Sequence, residues 1–495
     1  MRRLVDPCRR FGRTAVNAWT LRFYHAMPPV VRSAAAGARG WYLRAWRYGP
    51  ETDRLADAAL ARERWSSAQW AAWREERLAQ LLERAATRVP YYRDQWAARR
   101  RRGDRASWEL LANWPVLEKE AVRTAPRAFL ADDCNPRTMF HEHTSGTTGT
   151  SLDLWWSRAT VRTWYALFEA RWRRWYGVSR HDRWAILGGQ LVVPVAHRTP
   201  PFWVWNPALH QLYLSSYHLA PDLIPHYVTA LRQHRIRYLF GYTSALHTLA
   251  QGAEPGSLRA LGLAVVIANA EPVLPHQREA IERAFGAPLR ETYGMAEIVT
   301  AAGECEHNRL HLWPDAGVVE LLDGDAPVPP GETGDLVCTG LVNADMPLVR
   351  YRVGDRAALD PSDAPCPCGR TLPRLARIEG RADDVLYTRD GRAVGRMDPV
   401  FKSRLPVHEA QIIQEALDRV RVRYVPAAGF TPADGEAIAA RIRDRMGDVD
   451  VVLEPVSAIP RTSNGKLRAV VCALSPDERA RLRAGDVTAS RERAP

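Results

Sequence analysis

Apolar residues recur along the chain at two different periods. Leu78, Leu81, Leu82 and Ala85 repeat at three- and four-residue steps, which predicts one apolar helix face within residues 63–99. Val89-Pro90-Tyr91-Tyr92 breaks that helix. Trp114-Pro115-Val116-Leu117 ahead of Glu118-Lys119-Glu120 predicts a further turn and helix start. Residues 1–60 also read as mainly helical, with Trp19, Phe23, Tyr24, Trp41, Tyr42 and Trp46 set among arginines. That mixture suits helices packed on their own domain with Arg pointing outward. Weak membrane contact of these N-terminal helices is the less favoured alternative.

Further along, short β-rich runs take over at 183–187, 238–241, 264–268, 289–293, 318–322 and 335–339. Helical spans separate some of them, such as 276–285, ended by Gly286 and Pro288. Strands alternating with helices predict an α/β fold with at least one largely parallel sheet. The pattern changes again near 377–384. Val420, Val422 and Tyr424 then alternate with Arg419, Arg421 and Arg423, so one strand face is buried and the other charged. Thr431-Pro432 with Asp434 reads as an N-cap, a first-position proline and a first-turn acid. The helix they open runs to Met446 and stops at Gly447, and Val449, Val451 and Leu453 form the next strand. The chain thus divides into a helical N-terminal region of a large domain (1–130), the core of that domain (131–380), a small α+β C-terminal domain (381–475) and a charged tail (476–495) expected to fray.

Composition narrows the picture. A chain of 495 residues exceeds one ordinary core. The net charge of +13 comes from arginines scattered throughout, which fits anionic cofactors better than a nucleic-acid partner. No zinc finger, basic zipper or RNA-recognition signature points to nucleic acid. Seven cysteines, thinly spread, argue for a reducing compartment. Arg9, Arg10, Arg13 and Arg22 interrupt any signal-like core, and no apolar run reaches the roughly 18 residues that span a bilayer. A cytoplasmic protein is expected.

The candidate chemistry centres on Thr144-Ser145-Gly146-Thr147-Thr148-Gly149-Thr150. Glycines allow positive φ and inward-facing N–H groups, and the hydroxyls add donors, so the segment suits a polyphosphate cradle. A flexible polar loop between domains fits the same spacing. It is not the usual P-loop, because no Gly-Lys-Ser/Thr follows.

Four more segments follow in order: Glu291-Thr292-Tyr293-Gly294-Met295-Ala296-Glu297, Tyr351-Arg352-Val353-Gly354-Asp355, Gly380-Arg381-Ala382-Asp383-Asp384 and Ile459-Pro460-Arg461-Thr462-Ser463-Asn464-Gly465-Lys466. Together with the glycine–threonine segment they resemble the adenylate-forming superfamily of acyl-CoA synthetases, peptide-synthetase adenylation domains and luciferases. The finer resemblance is to the phenylacetate–CoA ligase-like branch, including its capsular-polysaccharide-biosynthesis members. Val89-Pro90-Tyr91-Tyr92, Thr150-Ser151, Phe240-Gly241-Tyr242-Thr243-Ser244, the stretch 343–351 and Cys366-Pro367-Cys368-Gly369-Arg370 carry it.

The resemblance implies an α/β fold: a large multi-lobed N-terminal domain with mixed, largely parallel sheets plus a small mobile α+β C-terminal domain. It implies ATP, Mg²⁺ and a small carboxylic acid, with the acyl-adenylate passed to coenzyme A. A carrier protein, amine or hydroxyl is the alternative acceptor, and a catalytically silent scaffold the alternative class. Thr144, Ser145, Gly146, Thr147, Thr148 and Gly149 would grip the β- and γ-phosphates. Glu297 would hold Mg²⁺, Tyr293 stack on adenine and Asp355 accept the ribose hydroxyls. Arg381 would bind the ribose or α-phosphate side, and Glu271 sits after a strand beside the adenine and acyl pocket. Lys466 would bridge carboxylate and α-phosphate, and Asp383 would be the hinge. Ala296 stands where relatives often have Thr or Ser, and Thr292 is the hydroxyl that could compensate. The acid pocket is expected around Gly188-Gly189, Tyr242 and 268–271. Cys305, His311, Cys366 and Cys368, with His307 competing with His311, suit a structural zinc of the kind some branch members carry. Metal-free reduced cysteines are the alternative. The branch also suggests a homodimer.

Overall fold

The computed structural model describes residues 23–143, 152–190, 192–194, 196–271, 273, 275–379, 386–394, 397–401, 405–457, 459 and 470–483. The N-terminal region is helical, as the apolar spacing predicts: α1 (Pro29–Arg47), α2 (Thr52–Arg62), α3 (Ser67–Arg88), α4 (Pro90–Arg101) and the short α5 (Lys119–Thr124). A capping box starts α3, with Ser66 and Gln69 exchanging side-chain and backbone hydrogen bonds. The break at Val89-Pro90 is a junction between two helices, because Pro90 occupies the first position of α4, where no N–H is needed. Leu81, Leu82 and Ala85 of α3 are buried.

An antiparallel hairpin follows, β1 (Phe140–His143) and β2 (Asp153–Trp156), placing His143 opposite Asp153. Its connecting residues include the glycine–threonine segment. Next come α6 (Arg158–Arg171), β3 (Trp184–Gly188), β4 (Trp203–Asn206), β5 (Gln211–Ser215), α7 (Ile224–Gln233), β6 (Tyr238–Tyr242), α8 (Thr243–Gly252), β7 (Val265–Asn269), α9 (Pro275–Phe285) and β8 (Leu289–Gly294). Strands β5, β3, β6, β7 and β8 lie side by side and parallel. Both faces of this sheet are covered. Ala185, Leu187, Leu239, Val266 and Ala268 pack in the core around α7–α9, and Trp184, Tyr238, Phe240, Val265 and Ile267 pack toward the N-terminal helices. Burial on both faces explains the nearly continuous apolar runs in β3, β6 and β7.

From β8 the sheet continues antiparallel through β9 (Ala301–Glu304), β10 (Leu310–Leu312), β11 (Gly317–Asp323), β12 (Ala326–Pro327), β13 (Gly334–Gly340), β14 (Tyr351–Leu359) and β15 (Arg374–Glu379). Among the described residues the result is one mixed sheet, ordered β12-β11-β13-β14-β15-β10-β9-β8-β7-β6-β3-β5-β4. A buried arginine pins the N-terminal helices to it. Arg171 donates to Asp315 at 2.5 and 2.9 Å and to Glu63 at 3.0 Å.

The small unit contains β16 (Leu386–Tyr387), β17 (Ala393–Val394), β18 (Val407–Ala416), β19 (Arg419–Pro426), α10 (Pro432–Met446), β20 (Asp450–Pro455), β21 (Val470–Cys472) and α11 (Pro476–Arg483). Val420, Val422 and Tyr424 of β19 are buried, and Gly447 ends α10 at φ +82°. The tail expected to fray begins instead as α11. Ser475 and Glu478 cap it reciprocally, and Leu482 is buried near Tyr387 and Leu474. Tyr217 of the large unit joins the core of the small one beside Leu386 and Val394.

Candidate active site

The parallel strands end along one edge, which is where an open α/β sheet binds ligands. Gly188 closes β3 and Gly189 follows it, Tyr242 closes β6, Asn269 closes β7 ahead of Ala270 and Glu271, and Thr292, Tyr293 and Gly294 close β8. The glycines matter for space. A Cβ on Gly189 would lie 3.0 Å from the Tyr217 hydroxyl and 3.4 Å from the Tyr242 ring. The residues expected to shape the acid pocket therefore lie on adjacent strand ends.

Two polar groupings stand beside this edge. The Tyr293 hydroxyl donates to the Asp355 carboxylate at 2.7 Å. The Glu297 carboxylate is buried and accepts from the Lys119 ammonium at 3.1 Å and the Tyr351 hydroxyl at 2.9 Å. Tyr351 and Asp355 both lie on β14, on either side of an irregularity in its register with β13 where Gly354 adopts φ +93°. Burial alone would push the Glu297 carboxyl up, but Lys119, a backbone N–H and Tyr351 outweigh it and hold the group below the usual range. Burial and the nearby Asp355 push the Tyr293 phenol well up, so it remains a neutral donor. Thr292 is buried and its hydroxyl donates to the Ala268 carbonyl at 2.8 Å, into the sheet. Glu271 is buried, with its carbonyl accepting from Thr243 at 3.1 Å. The Asn269 side-chain oxygen is buried with no hydrogen-bond partner among the described residues.

The backbone is strained at the same places. Ala270, Ile298 and Arg350 adopt φ of +64°, +48° and +48°. Each adjoins a site residue: Glu271, Glu297 and Tyr351. Side-chain-bearing residues in this region cost energy and concentrate at functional sites.

Lys119 went unremarked in the sequence except as part of a helix start. The signal was there: in this Arg-rich chain lysine occurs only at Lys119, Lys402 and Lys466. Thr144, Ser145, Gly146, Thr147, Thr148, Gly149, Arg381, Asp383 and Lys466 lie outside the described residues.

The cysteine constellation assembles away from this edge. The sulfurs of Cys305 and Cys366 are 3.8 Å apart, and Cys368 sulfur lies 3.5 Å from His311 Nε2. An ion about 2.3 Å from each sulfur and about 2.1 Å from nitrogen would separate tetrahedral ligands by about 3.8 Å (S–S) and about 3.6 Å (S–N). The four residues fit zinc in that respect. His311 rather than His307 joins the cluster, and its Nδ1 is 3.1 Å from the Leu372 carbonyl, an outer contact that orients Nε2 inward. Burial lowers the His311 imidazole to about 4, so it is neutral at physiological pH.

A family model for AMP-binding enzymes matches residues 71–344, and one for the CapK C-terminal domain matches 386–473. The chain belongs to the AMP-binding, adenylate-forming enzyme family, in its phenylacetate–CoA ligase-like branch. Protein CapK of Staphylococcus aureus is 26% identical over 337 residues, 66% of this chain and 73% of the relative. A phenylacetate-coenzyme A ligase of Pseudomonas putida is 28% identical over 63% of this chain and 71% of its own length. The fold matches a structure of 2-hydroxyisobutyryl-CoA ligase in complex with 2-HIB-AMP and CoA, with a TM-score of 0.54 and 22% identity over 83% of this chain and 91% of that one. Among the described residues no helix is long and apolar enough to cross a membrane.

Proposed function

We propose that the protein is an ATP-dependent carboxylate ligase that forms an acyl- or aryl-adenylate and transfers the acyl group to coenzyme A. The observation that carries this reading is the pairing of Tyr293 with Asp355 beside the buried Glu297–Lys119–Tyr351 group at the carboxyl ends of the parallel strands. A substrate carboxylate oxygen attacks the α-phosphorus of ATP, and the bond to the bridging oxygen breaks as pyrophosphate leaves. A thiol sulfur then attacks the acyl carbon and AMP departs.

Asp355 suits the ribose hydroxyls as an acceptor, and Tyr293 offers its ring to adenine. Glu271 and Asn269 border the base and acyl side. Residues 144–149 would grip the β- and γ-phosphates, Arg381 the ribose or α-phosphate side, and Lys466 the developing charge between carboxylate and α-phosphate. Glu297 supplies a carboxylate suited to Mg²⁺, which when bound neutralises phosphate charge. Thr292 contributes through the sheet, since its hydroxyl donates to Ala268. Asp383 is the hinge for the small domain, whose limits we place at 381–475. The Cys305, His311, Cys366 and Cys368 site holds a structural zinc. The thinly spread cysteines favour a cytoplasmic setting.

A second reading keeps the adenylation and passes the acyl group to a carrier protein, amine or hydroxyl. Carboxylate-dependent pyrophosphate release across a panel of acids tests the adenylation step. Lys466→Ala should abolish it, and release unchanged by that substitution would refute the assigned role. Comparing coenzyme A with other acceptors separates the two readings.

A further inference from the structure

A second potential ligand set lies outside the residues used above. His141 and His143 are two residues apart on β1, so they share a face, and the antiparallel register places Asp153 of β2 directly opposite His143. The strand register alone therefore brings two imidazoles and one carboxylate together. Asp153 Oδ1 lies 3.1 Å from His141 Nε2 and 2.8 Å from His143 Nδ1, and one ligand atom from each residue falls within 4.8 Å of the others. Ligand atoms about 2.1 Å from a common ion are separated by about 3.0 Å at right angles and about 3.4 Å at tetrahedral angles. The two separations from Asp153 Oδ1 match right-angle placement of each imidazole nitrogen relative to the carboxylate oxygen.

The surroundings favour a preformed site. The His141 ring stacks on Trp155, the residue opposite it in the register, with centroids 4.9 Å apart and planes at 9°. The side chains of His141, His143 and Asp153 are 29%, 39% and 15% exposed, which leaves an ion a path in from solution. The donor set selects the ion. Two imidazoles and one carboxylate suit first-row transition dications, whereas Mg²⁺ and Ca²⁺ take oxygen ligands.

We propose that His141, His143 and Asp153 bind a divalent transition ion of the Zn²⁺ or Co²⁺ class, clamping β1 to β2 where the glycine–threonine segment leaves and rejoins the hairpin. This site is distinct from the cysteine cluster and does not depend on the ligase reading.

The test uses chelator-stripped full-length protein titrated with Co²⁺ and, separately, Zn²⁺, with bound ions counted by elemental analysis. Wild type should bind one ion more than His141→Ala and Asp153→Asn. The near-ultraviolet thiolate-to-cobalt absorption, where present, should survive both substitutions because it reports the cysteine cluster. His143→Gln, which keeps a polar side chain on the strand, should weaken the extra ion at least tenfold. Zn²⁺ should also protect His141 and His143 of the unsubstituted protein from diethylpyrocarbonate, read by mass spectrometry, so a folding defect in a variant does not decide the result. Equal ion counts in wild type and folded variants, or labelling of both histidines unaffected by Zn²⁺, would mean that the three side chains form only an ion-paired cluster, and the proposal would fall.

Discussion

Glu291 offers a quantitative test of the electrostatics in the middle of β8. Burial raises its carboxyl to about 7 from an ordinary value of 4.5. The Glu304 carboxylate pushes the same way, and Arg278 and the Val273 N–H oppose. The folded protein thus holds a proton that the unfolded chain releases between these values. Stability from this group is fully present below pH 4.5 and is lost as pH rises through 7. At about 1.4 kcal/mol per tenfold in proton affinity, the gap amounts to roughly 3 kcal/mol. Glutamine is isosteric with the protonated acid and stays neutral, so Glu291→Gln should escape that loss. Its gain over wild type should be under about 1 kcal/mol at pH 5 and roughly 3 kcal/mol at pH 8. In a domain of this size that means a few degrees in thermal midpoint. Midpoints measured side by side from pH 5 to 8 decide the matter. A variant that parallels wild type across the range, or gains equally at both ends, would refute the burial argument.

Three other outcomes follow from the site. Ala270 sits at φ +64°, where glycine carries no steric penalty, so Ala270→Gly should stabilise the protein by about 1 kcal/mol, seen as a raised thermal midpoint. Lys119→Met removes the cation beside buried Glu297 and should cost about 1–3 kcal/mol at pH 7. The cost should shrink as pH falls through the carboxylate range, because the depressed Glu297 carboxyl adds stability only above it; denaturation at pH 7 and pH 4 checks this. Cys366→Ser should lower the bound zinc by one per chain and lower the thermal midpoint, with elemental analysis giving the stoichiometry.

The strands with strong periodicity were legible in the sequence. β3, β6 and β7 stand out because both faces are buried, and β19 because only one is. Some of the strands missed have weaker patterns. β9 is Ala-Ala-Gly-Glu, without a β-branched residue, and β10 is three residues long. β14 carries Gly354 and three charged side chains, so it reads as a loop. At the site, the motifs picked out Tyr293, Glu297 and Asp355, but spacing could not show that Tyr293 and Asp355 touch. Glu297 meets Lys119 across 178 positions of chain. His141, His143 and Asp153 were invisible because they converge only once β1 and β2 are in register.

The antiparallel half of the sheet imposes an order of assembly on the nascent polypeptide. β10 is flanked by β9, which precedes it closely, and by β15, which emerges only after β11 to β14 have been synthesised. During translation one edge of β10 is therefore bare, and a bare edge invites foreign strands. Its brevity and the central His311 limit that hazard. Cys305 and His311 meanwhile wait at this margin for Cys366 and Cys368, which makes it the point where an oxidant could divert the growing chain into misfolded thiol cross-links before the sheet is sealed.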